Sequence, residues 1–234
     1  MNLNQLLRYF IKKYTNKQYK ISYSQTGEDL ILDFFLNKEG GGYVDIGCND
    51  PVFLNNTYFF YKKGWKGINV DANPKYIEKF KIMRKRDINI SALIGISNNK
   101  TKEFYIFEPE TLSTSSEKQK KLYLKAGYKL KEVITIPCIS LFSLFKQKLL
   151  NTYIDFLSVD VEGNELNVLK SNDWKLYRPK FIIVEVTQHR PVIKNTKPFD
   201  KFFKKNNYTK FSETLINAIY ISDEYKRKLQ IKII

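Results

Sequence analysis

Short apolar runs alternate with amphipathic stretches along most of the chain. Five runs bounded by turn residues have the length and composition of buried strands: Tyr43–Gly47, Gly67–Asp71, Ile88–Gly95, Ile154–Val161 and Phe181–Val186. Five stretches with helical periodicity lie before or between them: Glu28–Asn37, Asn55–Lys63, Pro74–Arg86, Leu141–Leu150 and Asn164–Ser171. Apolar strands that alternate with helices predict an α/β fold, with a mostly parallel sheet covered by helices on both faces.

Two further pairs of runs add to this pattern. Tyr208–Glu213 and Asn217–Ser222 are close enough to pair as an antiparallel hairpin at the end of the chain. Phe104–Phe107 and Val133–Ile139 predict extra strands in a small insertion, and we expect the polar segment between them, 108–125, to be a mobile loop or lid. The predicted inward face of the first helix consists of Leu30, Ile31, Phe34 and Phe35.

Residues 1–20 predict a separate amphipathic helix, followed by a single domain over residues 21–234. The apolar stripe of this helix consists of Leu3, Leu6, Leu7, Phe10, Ile11 and Tyr14, with lysines beside it. Because such stripes usually face a core, we expect the helix to pack on the domain or on a second subunit of a homodimer. Peripheral contact with an anionic membrane surface is the alternative.

Composition limits the classes of partner and compartment. The chain has 234 residues, 43% of them hydrophobic, which is enough for one substantial core. Its formal charge of +16 predicts an anionic partner, although part of the lysine excess fits an A+T-biased genome. Cys48 and Cys138 have no metal-ligand spacing and are too few for a disulfide framework. Without an apolar run near the ~20 residues of a membrane span or a secretory leader pattern, the expected compartment is the cytoplasm.

Acidic residues recur where the predicted strands end. Asp45 and Gly47 close the first strand and Asp71 the second, where a carboxylate is placed to accept both hydrogen bonds of a ribose diol. The loop after the first strand has one glycine where a dinucleotide fingerprint has three, so NAD or FAD is disfavoured. A nucleoside without phosphates, such as S-adenosylmethionine, fits this loop better.

In addition, the sequence resembles the FkbM-type family of class I S-adenosylmethionine-dependent methyltransferases. The matching stretches appear in the family's order over roughly residues 22–187: 24–29 (SQTGED), 43–47 (YVDIG), 55–58 (NNTY), 64–68 (GWKGI), 71–74 (DANP), 155–165 (DFLSVDVEGNE), and 178–179 (RP) running into 184–185 (VE). The resemblance implies a Rossmann-like class I methyltransferase fold: a mostly parallel seven-stranded sheet, helices on both faces, a C-terminal antiparallel hairpin and a small insertion. It also implies O-methylation, often of sugar hydroxyls in surface glycans or natural products.

The resemblance implies a set of cofactor-binding residues. Asp45 and Gly47 would line the methionine end, Asp71 with Ala72 would hold the ribose, and Ser91 and Ala92 would flank adenine. Gln25, Glu28 and Thr57 match other motif positions and would close over the cofactor. For Gln25 and Glu28, a helical capping network is the alternative. Family members often have a Thr-Leu-Asp start to the helix before the fourth strand, where this chain has Ser140-Leu141-Phe142.

The candidate catalytic groups are Asp160, Glu162, Glu185 and His189. Methyl transfer to an alcohol requires removal of a weakly acidic proton, so a base or a metal ion must assist. His189, the only histidine, accepts a proton at physiological pH when neutral, whereas the carboxylates together could bind a divalent cation. Neutralisation of these carboxylates by lysines, without a catalytic role, is a third alternative.

The predicted function is therefore S-adenosylmethionine-dependent O-methylation of a small-molecule or glycan acceptor, in surface glycan or nucleotide-sugar biosynthesis. An RNA methyltransferase is the runner-up, since +16 would attract phosphates. Against RNA, no Asn-Pro-Pro-Tyr-like stacking motif follows the fourth strand, and the carboxylates there would repel a phosphate backbone, so nucleic acid is not the expected partner. A non-catalytic cofactor-binding scaffold is the remaining alternative.

Overall fold

The named elements of the described chain are ten strands and eight α-helices, besides a helical segment at residues 3–8 and a short 3-10 helix at Glu110–Leu112. A computed structural model describes residues 2–8, 20–96, 100–148, 153–187 and 195–230. The strands are β1 (Gly42–Ile46), β2 (Lys66–Asp71), β3 (Ile88–Ser91), β4 (Leu93–Ile94), β5 (Lys100–Glu108), β6 (Lys129–Ile139), β7 (Phe156–Val159), β8 (Phe181–Glu185), β9 (Tyr208–Glu213) and β10 (Asn217–Ser222). The helices are α1 (Glu28–Leu36), α2 (Tyr58–Lys62), α3 (Pro74–Met83), α4 (Glu117–Lys125), α5 (Leu141–Lys148), α6 (Glu165–Lys170), α7 (Lys197–Lys205) and α8 (Asp223–Lys228).

The central sheet has seven strands in the order β3-β2-β1-β7-β8-β10-β9. The first five of these pair in parallel, whereas β10 is antiparallel to both β8 and β9. Strands β1, β7 and β10 are buried along their whole length, which agrees with the predominance of apolar residues in each. The prediction of a mostly parallel, seven-stranded sheet with a C-terminal antiparallel hairpin is confirmed.

The predicted strand Ile88–Gly95 is wrong in one respect, because it is two strands in two sheets. β3 pairs with β2 in the central sheet, whereas β4 pairs with β6 in a separate sheet of order β4-β6-β5. The break falls at Ala92, whose backbone N–H still donates to the carbonyl of Asp71 at 3.0 Å, while Leu93 already lies in register with Cys138. An uninterrupted apolar run gives no sign of such a change of partner.

The insertion contains more structure than the sequence suggested. Within the segment expected to be a loop, a short 3-10 helix spans Glu110–Leu112 and α4 follows it. Ser116 caps α4, since its hydroxyl accepts from the backbone N–H of Gln119. Tyr123 is the buried residue of α4 and packs edge to face on Phe107 of β5. This segment is therefore a docked helical element, and its mobility stays a prediction.

The predicted inward face of α1 is wrong at Phe34, which is 72% exposed. The buried face contains Leu32 and Leu36 together with three acids, Glu28, Asp29 and Asp33. Asp33 is buried because Lys20 and Lys63 pair with its two oxygens at 2.5 and 2.7 Å. Because the periodicity analysis assigned acidic residues to the exposed face, the predicted buried face is rotated about the helix axis relative to the observed one.

The amino-terminal segment is only partly described. Residues 3–8 are helical, and Leu3, Leu6 and Leu7 are exposed. The other stripe residues predicted there, Phe10, Ile11 and Tyr14, lie outside the described residues, so the surface that this helix contacts stays a prediction. No helix in the described part of the chain combines the length and the apolar character needed to cross a bilayer.

Candidate active site

The carboxyl ends of β1 and β7 form a cleft at the point where the strand order reverses. β2 lies on one side of β1 and β7 on the other, and ligands of open α/β sheets bind at such a switch point. Asp45 of β1 lies in register with Ser158 of β7, and both line the cleft. Of the residues predicted from sequence, Gln25, Asp45, Gly47 and Asp160 line it.

Gly47 begins the loop after β1 in a conformation that requires glycine. Its φ is +79°, and an ideal Cβ would stand 1.7 Å from the backbone oxygen of Asp160. The backbone N–H groups of Gly47 and Cys48 both donate to the carbonyl of Val70, at 2.8 and 3.2 Å. The loop is thus held against β2 on one side and against the end of β7 on the other.

Asp71 lies at the end of β2 with its carboxylate held by the backbone. One oxygen accepts from Asn49 N–H at 2.9 Å and the other from Asn73 N–H at 2.7 Å. Burial raises the pKa of Asp71 to about 6, although these two hydrogen bonds oppose the shift. A carboxylate has about four acceptor positions, so each oxygen retains one for a ribose hydroxyl.

Asp45 and Thr57 are connected beneath the cleft. Thr57 is fully buried and donates its hydroxyl to Asp45 at 2.9 Å, while Asn55 Nδ2 donates to the same carboxylate oxygen at 3.2 Å. Burial raises the pKa of Asp45 to about 6 against these hydrogen bonds. Thr57 therefore positions Asp45 rather than lining the cleft.

Arg84 is a buried residue beneath the cleft that the sequence analysis missed. Its side chain is fully buried and donates to the carbonyl of Pro51 at 2.9 Å and to Asn55 Oδ1 at 2.7 Å. The rings of Tyr58 and Tyr61 lie 4.9 Å from its guanidinium carbon. This buried cation thereby fixes the loop that carries Asn55 beneath the cleft. Its spacing from Ile77 and Phe80 on the buried face of α3 is the sequence signal that could have revealed it.

Glu28 is fully buried but lies among polar partners from another element. Thr214 donates to it at 2.6 Å and Asn217 at 2.8 Å, and the backbone N–H of Thr26 donates at 2.9 Å. Burial opposes ionisation, yet the hydrogen bonds of Asn217, Thr214 and Thr26 hold the pKa of Glu28 below its usual value. Glu28 therefore fastens the start of α1 to the β9–β10 turn, where Asn217 lines the cleft. This contact set favours the structural alternative for Glu28.

The residues predicted to flank adenine and ribose lie at the ends of β2 and β3. Ser91 ends β3 in register with Asp71, and Ala92 follows it. Ala72 and Ala92 are both buried, with 7% and 5% exposure. Their contact with a cofactor stays a prediction.

Three of the four predicted catalytic residues form one cluster. Asp160, Glu162 and Glu185 each place a carboxylate oxygen within 4.8 Å of the others. Burial raises the pKa of all three, and mutual repulsion adds to the shift: Asp160 and Glu162 both act on Glu185, for example. His189 lies outside the described residues. The cluster is therefore able to take up a proton near neutral pH or to bind a cation.

The loop of Glu162 is held from two sides. Glu165 accepts from the N–H groups of Val161 and Gly163 at 3.2 and 2.9 Å. From the insertion, Tyr123 donates its hydroxyl to Glu162 Oε2 at 2.6 Å and Thr114 donates to the Glu162 carbonyl at 2.8 Å. Glu162 has a left-handed φ of 54°, a conformation that non-glycine residues adopt mainly where the surroundings enforce it. The insertion thus forms one wall of the acidic cluster.

Comparison with known protein families identifies the chain. The profile of the methyltransferase FkbM domain matches residues 45–210, which is more than half of the sequence. The chain belongs to the FkbM methyltransferase family, and its enzymatic class is that of the S-adenosylmethionine-dependent methyltransferases. The resemblance noted in the sequence and the class of enzyme are confirmed, and with that class S-adenosylmethionine as the cofactor; the divalent cation stays a prediction.

Two solved structures are similar to the chain at low identity. A TehB-like S-adenosylmethionine-dependent methyltransferase from Corynebacterium glutamicum has 10% identity and a TM-score of 0.45, over 94% of this chain and 96% of that one. The small RNA methyltransferase HEN1 has 11% identity and a TM-score of 0.40, over 89% of this chain and 28% of that one. Comparison with curated proteins gave no match. Neither structure bears on the acceptor.

Two features of the cleft and its edge suit parts of S-adenosylmethionine. The bare backbone at Gly47 allows close approach, and the oriented carboxylate of Asp71 has acceptor positions for a diol. The charged residues among those lining the described cleft are both acidic, Asp45 and Asp160. An acidic lining suits a cofactor that carries a sulfonium and an ammonium group.

Proposed function

We propose that this enzyme methylates a hydroxyl group of a carbohydrate acceptor, in surface glycan or nucleotide-sugar biosynthesis. The observation that carries the proposal is the position of Asp160. This residue lines the cofactor cleft and also belongs to the carboxylate cluster with Glu162 and Glu185. A group that removes a proton from the acceptor must lie beside the methyl donor, and the sharing of Asp160 between the cleft and the cluster supports that role for the cluster.

The chemistry of an alcohol acceptor explains why such a cluster is useful. When bound, S-adenosylmethionine supplies an electrophilic methyl group. An alcohol is a weak nucleophile until its proton is removed, and a carboxylate whose pKa is raised by burial is a better base than an exposed one. A carboxylate of the cluster can take the proton directly; the other two routes are proton acceptance by His189 and coordination of the hydroxyl oxygen to a divalent cation held by the carboxylates.

An anionic acceptor, such as a nucleotide-linked or phosphorylated sugar, fits the charges around the cluster. Helix α4, which contacts Glu162 through Tyr123, carries Lys118 and Lys121 on its exposed face. Their positive charge supports attraction of an acceptor phosphate to the side of the cluster that the insertion forms. An RNA backbone would bring several phosphates towards the same carboxylates, which is unfavourable.

The charge of the acceptor is testable with a matched pair of double variants. We expect Lys118→Gln/Lys121→Gln to raise the KM for an anionic acceptor several-fold, and added salt to raise the wild-type KM similarly because exposed charges are screened. The control is Lys226→Gln/Lys228→Gln, which removes the same charge from α8. This helix follows the carboxyl end of β10, which pairs with the amino-terminal end of β8 and so lies at the edge of the sheet opposite to Glu185. Equal effects of the two double variants would contradict a specific role for α4.

The acceptor class is tested by incubating the protein with deuteromethyl-labelled S-adenosylmethionine and three panels: nucleotide sugars, glycans and structured RNA. Mass spectrometry of the products should place the label on a sugar hydroxyl. Methylation of RNA alone would establish the runner-up function. Cofactor binding without methylation in any panel would favour a scaffold, and Asp71→Ala serves as the control without a functional cofactor site.

A further inference from the structure

The charge of the cleft lining distinguishes between the α-ammonium and the α-carboxylate group of the cofactor's methionine part. The described residues that line the cleft include Asn56 and Ser158, and its two charged lining residues are Asp45 and Asp160. No lysine or arginine is among the described lining residues, although the whole chain carries a charge of +16. The cleft therefore favours an ammonium group over a carboxylate.

Asn55 and Asn56 are adjacent in the chain but have different partners. Asn55 is buried with both amide atoms paired, to Asp45 through Nδ2 and to Arg84 through Oδ1. Asn56 Nδ2 donates to Ser158 Oγ of β7 at 3.1 Å, whereas its Oδ1 is buried and has no partner among the described residues. A buried acceptor without a donor is rare and costs stability, so a ligand that supplies a donor is bound favourably.

We infer that Asn56 Oδ1 accepts a hydrogen bond from the α-ammonium group of S-adenosylmethionine. The inference rests on the ribose lying at Asp71, which leaves the amino acid end of the cofactor near β7, where Asn56 and Ser158 lie. An ammonium group has donors and positive charge, whereas the carboxylate at the same end has only acceptors. Asp45 and Asp160 in the same lining add favourable charge.

Calorimetry with two ligands tests this assignment. S-adenosylhomocysteine retains the α-ammonium group, whereas 5′-methylthioadenosine retains the nucleoside but lacks the amino acid. Where binding is too weak for calorimetry, the affinity is measured by displacement of labelled S-adenosylmethionine. We expect Asn56→Ala to weaken S-adenosylhomocysteine at least tenfold and to leave 5′-methylthioadenosine unchanged. Asn56→Asp, which keeps an acceptor oxygen, should retain the affinity for S-adenosylhomocysteine.

Asn172→Ala is the matched control, because Asn172 also has a buried amide oxygen without a partner among the described residues but does not line the cleft. We expect no change in either affinity. Equal weakening of both ligands by Asn56→Ala would overturn the inference in favour of a role in loop structure. An unchanged affinity for S-adenosylhomocysteine, or a loss in Asn56→Asp as large as in Asn56→Ala, would also overturn it. Because wild-type binding of both ligands is measured independently, failure of this inference is distinct from failure to bind the cofactor.

Discussion

Gly47 and Asp160 lie in direct backbone contact, although they end two different strands. An ideal Cβ on Gly47 would be 1.7 Å from the Asp160 carbonyl oxygen, and the Asp160 N–H donates to the carbonyl of Ile46 at 2.9 Å. The first residue of the cofactor loop and the first residue of the carboxylate cluster are therefore fixed relative to each other. If S-adenosylmethionine binds at this loop, we expect a shift at either position to move its methyl group relative to the carboxylate cluster.

Replacing Gly47 tests this coupling. Gly47→Ala introduces both a steric clash with backbone and a strained positive φ, so we expect cofactor affinity to fall at least tenfold and the free energy of unfolding to fall by about 2 kcal/mol or more. Calorimetry and chemical denaturation measure the two effects. Gly64→Ala is the control, since Gly64 has a φ of +87° but no atom within 4 Å of an ideal Cβ. It should lose about 1 kcal/mol of stability and keep its cofactor affinity; equal binding losses in the two variants would contradict the coupling.

Asp71 is expected to carry much of the binding energy for the ribose. Loss of two charge-assisted hydrogen bonds, each contributing about 1.5–3 kcal/mol, should weaken S-adenosylmethionine at least tenfold in Asp71→Ala. Asp50→Ala is a suitable control, because Asp50 also accepts backbone N–H bonds in this loop, from Val52 and Phe53 at 3.0 Å. Unchanged affinity in Asp71→Ala would show that the ribose is held elsewhere.

The central sheet could be predicted because its strands are simple in pattern. β1, β7 and β10 are buried throughout and mostly apolar, and polar residues at or just after the carboxyl ends of the parallel strands mark where these strands stop. The carboxyl ends of parallel strands meet at one edge of the sheet. The sequence alone therefore assigns four acids to one region of the sheet: Asp45, Asp71, Asp160 and Glu185.

Residues whose roles depend on distant partners could not be predicted in this way. Arg84 resembles an exposed basic residue near the end of a helix, yet it is buried because Pro51 and Asn55, about thirty positions earlier, supply acceptors. Glu28 matches a family motif, but its partners Thr214 and Asn217 lie near the other end of the chain. Side-chain periodicity carries no information about such contacts.

Tyr123 connects the insertion to the chemistry. Its hydroxyl donates to Glu162, and such a bond favours the ionised carboxylate. In Tyr123→Phe the pKa of Glu162 should rise further, so the acid limb of the pH profile of kcat should move to higher pH, with kcat at neutral pH lowered about tenfold. Tyr128→Phe is the control, because the ring of Tyr128 packs on Tyr123 while the hydroxyl that donates to Glu162 belongs to Tyr123. An unchanged pH profile in Tyr123→Phe would contradict this role.

The buried acids also predict how stability changes with pH. The folded-state pKa values of Asp160, Glu162 and Glu185 lie above their usual values. At a pH between the unfolded-state and folded-state pKa of each acid, the folded chain therefore binds more protons than the unfolded chain. The free energy of unfolding should therefore fall as the pH rises from about 5 to 8. Glu185→Gln should reduce this slope and raise Tm at pH 8 by about 2–4 °C, the change expected for about 1 kcal/mol.

Glu28 is an internal control, because its contribution to stability should change with pH in the opposite direction. Its pKa is lowered in the folded state, so its ionised form stabilises the fold above its unfolded pKa, and that contribution is lost as the pH falls through the folded value. Glu28→Gln should therefore lower Tm at pH 8. Thermal unfolding across this pH range checks both variants. A lower Tm in Glu185→Gln than in the wild type at pH 8 would contradict a cluster of destabilised acids.

The final prediction distinguishes a histidine base from a metal ion at the cluster. If His189 accepts the proton, His189→Ala should lower turnover by about 10² to 10⁴ with cofactor affinity intact, and chelators should have no effect. If a cation acts, chelation should abolish turnover, Mg²⁺ or Mn²⁺ should restore it, and Asp160→Asn should be at least as damaging as His189→Ala. A cation should also raise Tm at pH 8 in the wild type more than in Glu185→Gln, because it offsets the repulsion among Asp160, Glu162 and Glu185. Near-normal turnover in Asp160→Asn, Glu185→Gln and His189→Ala alike would exclude the cluster, and the proton acceptor would then have to come from segment 108–125 or from solvent.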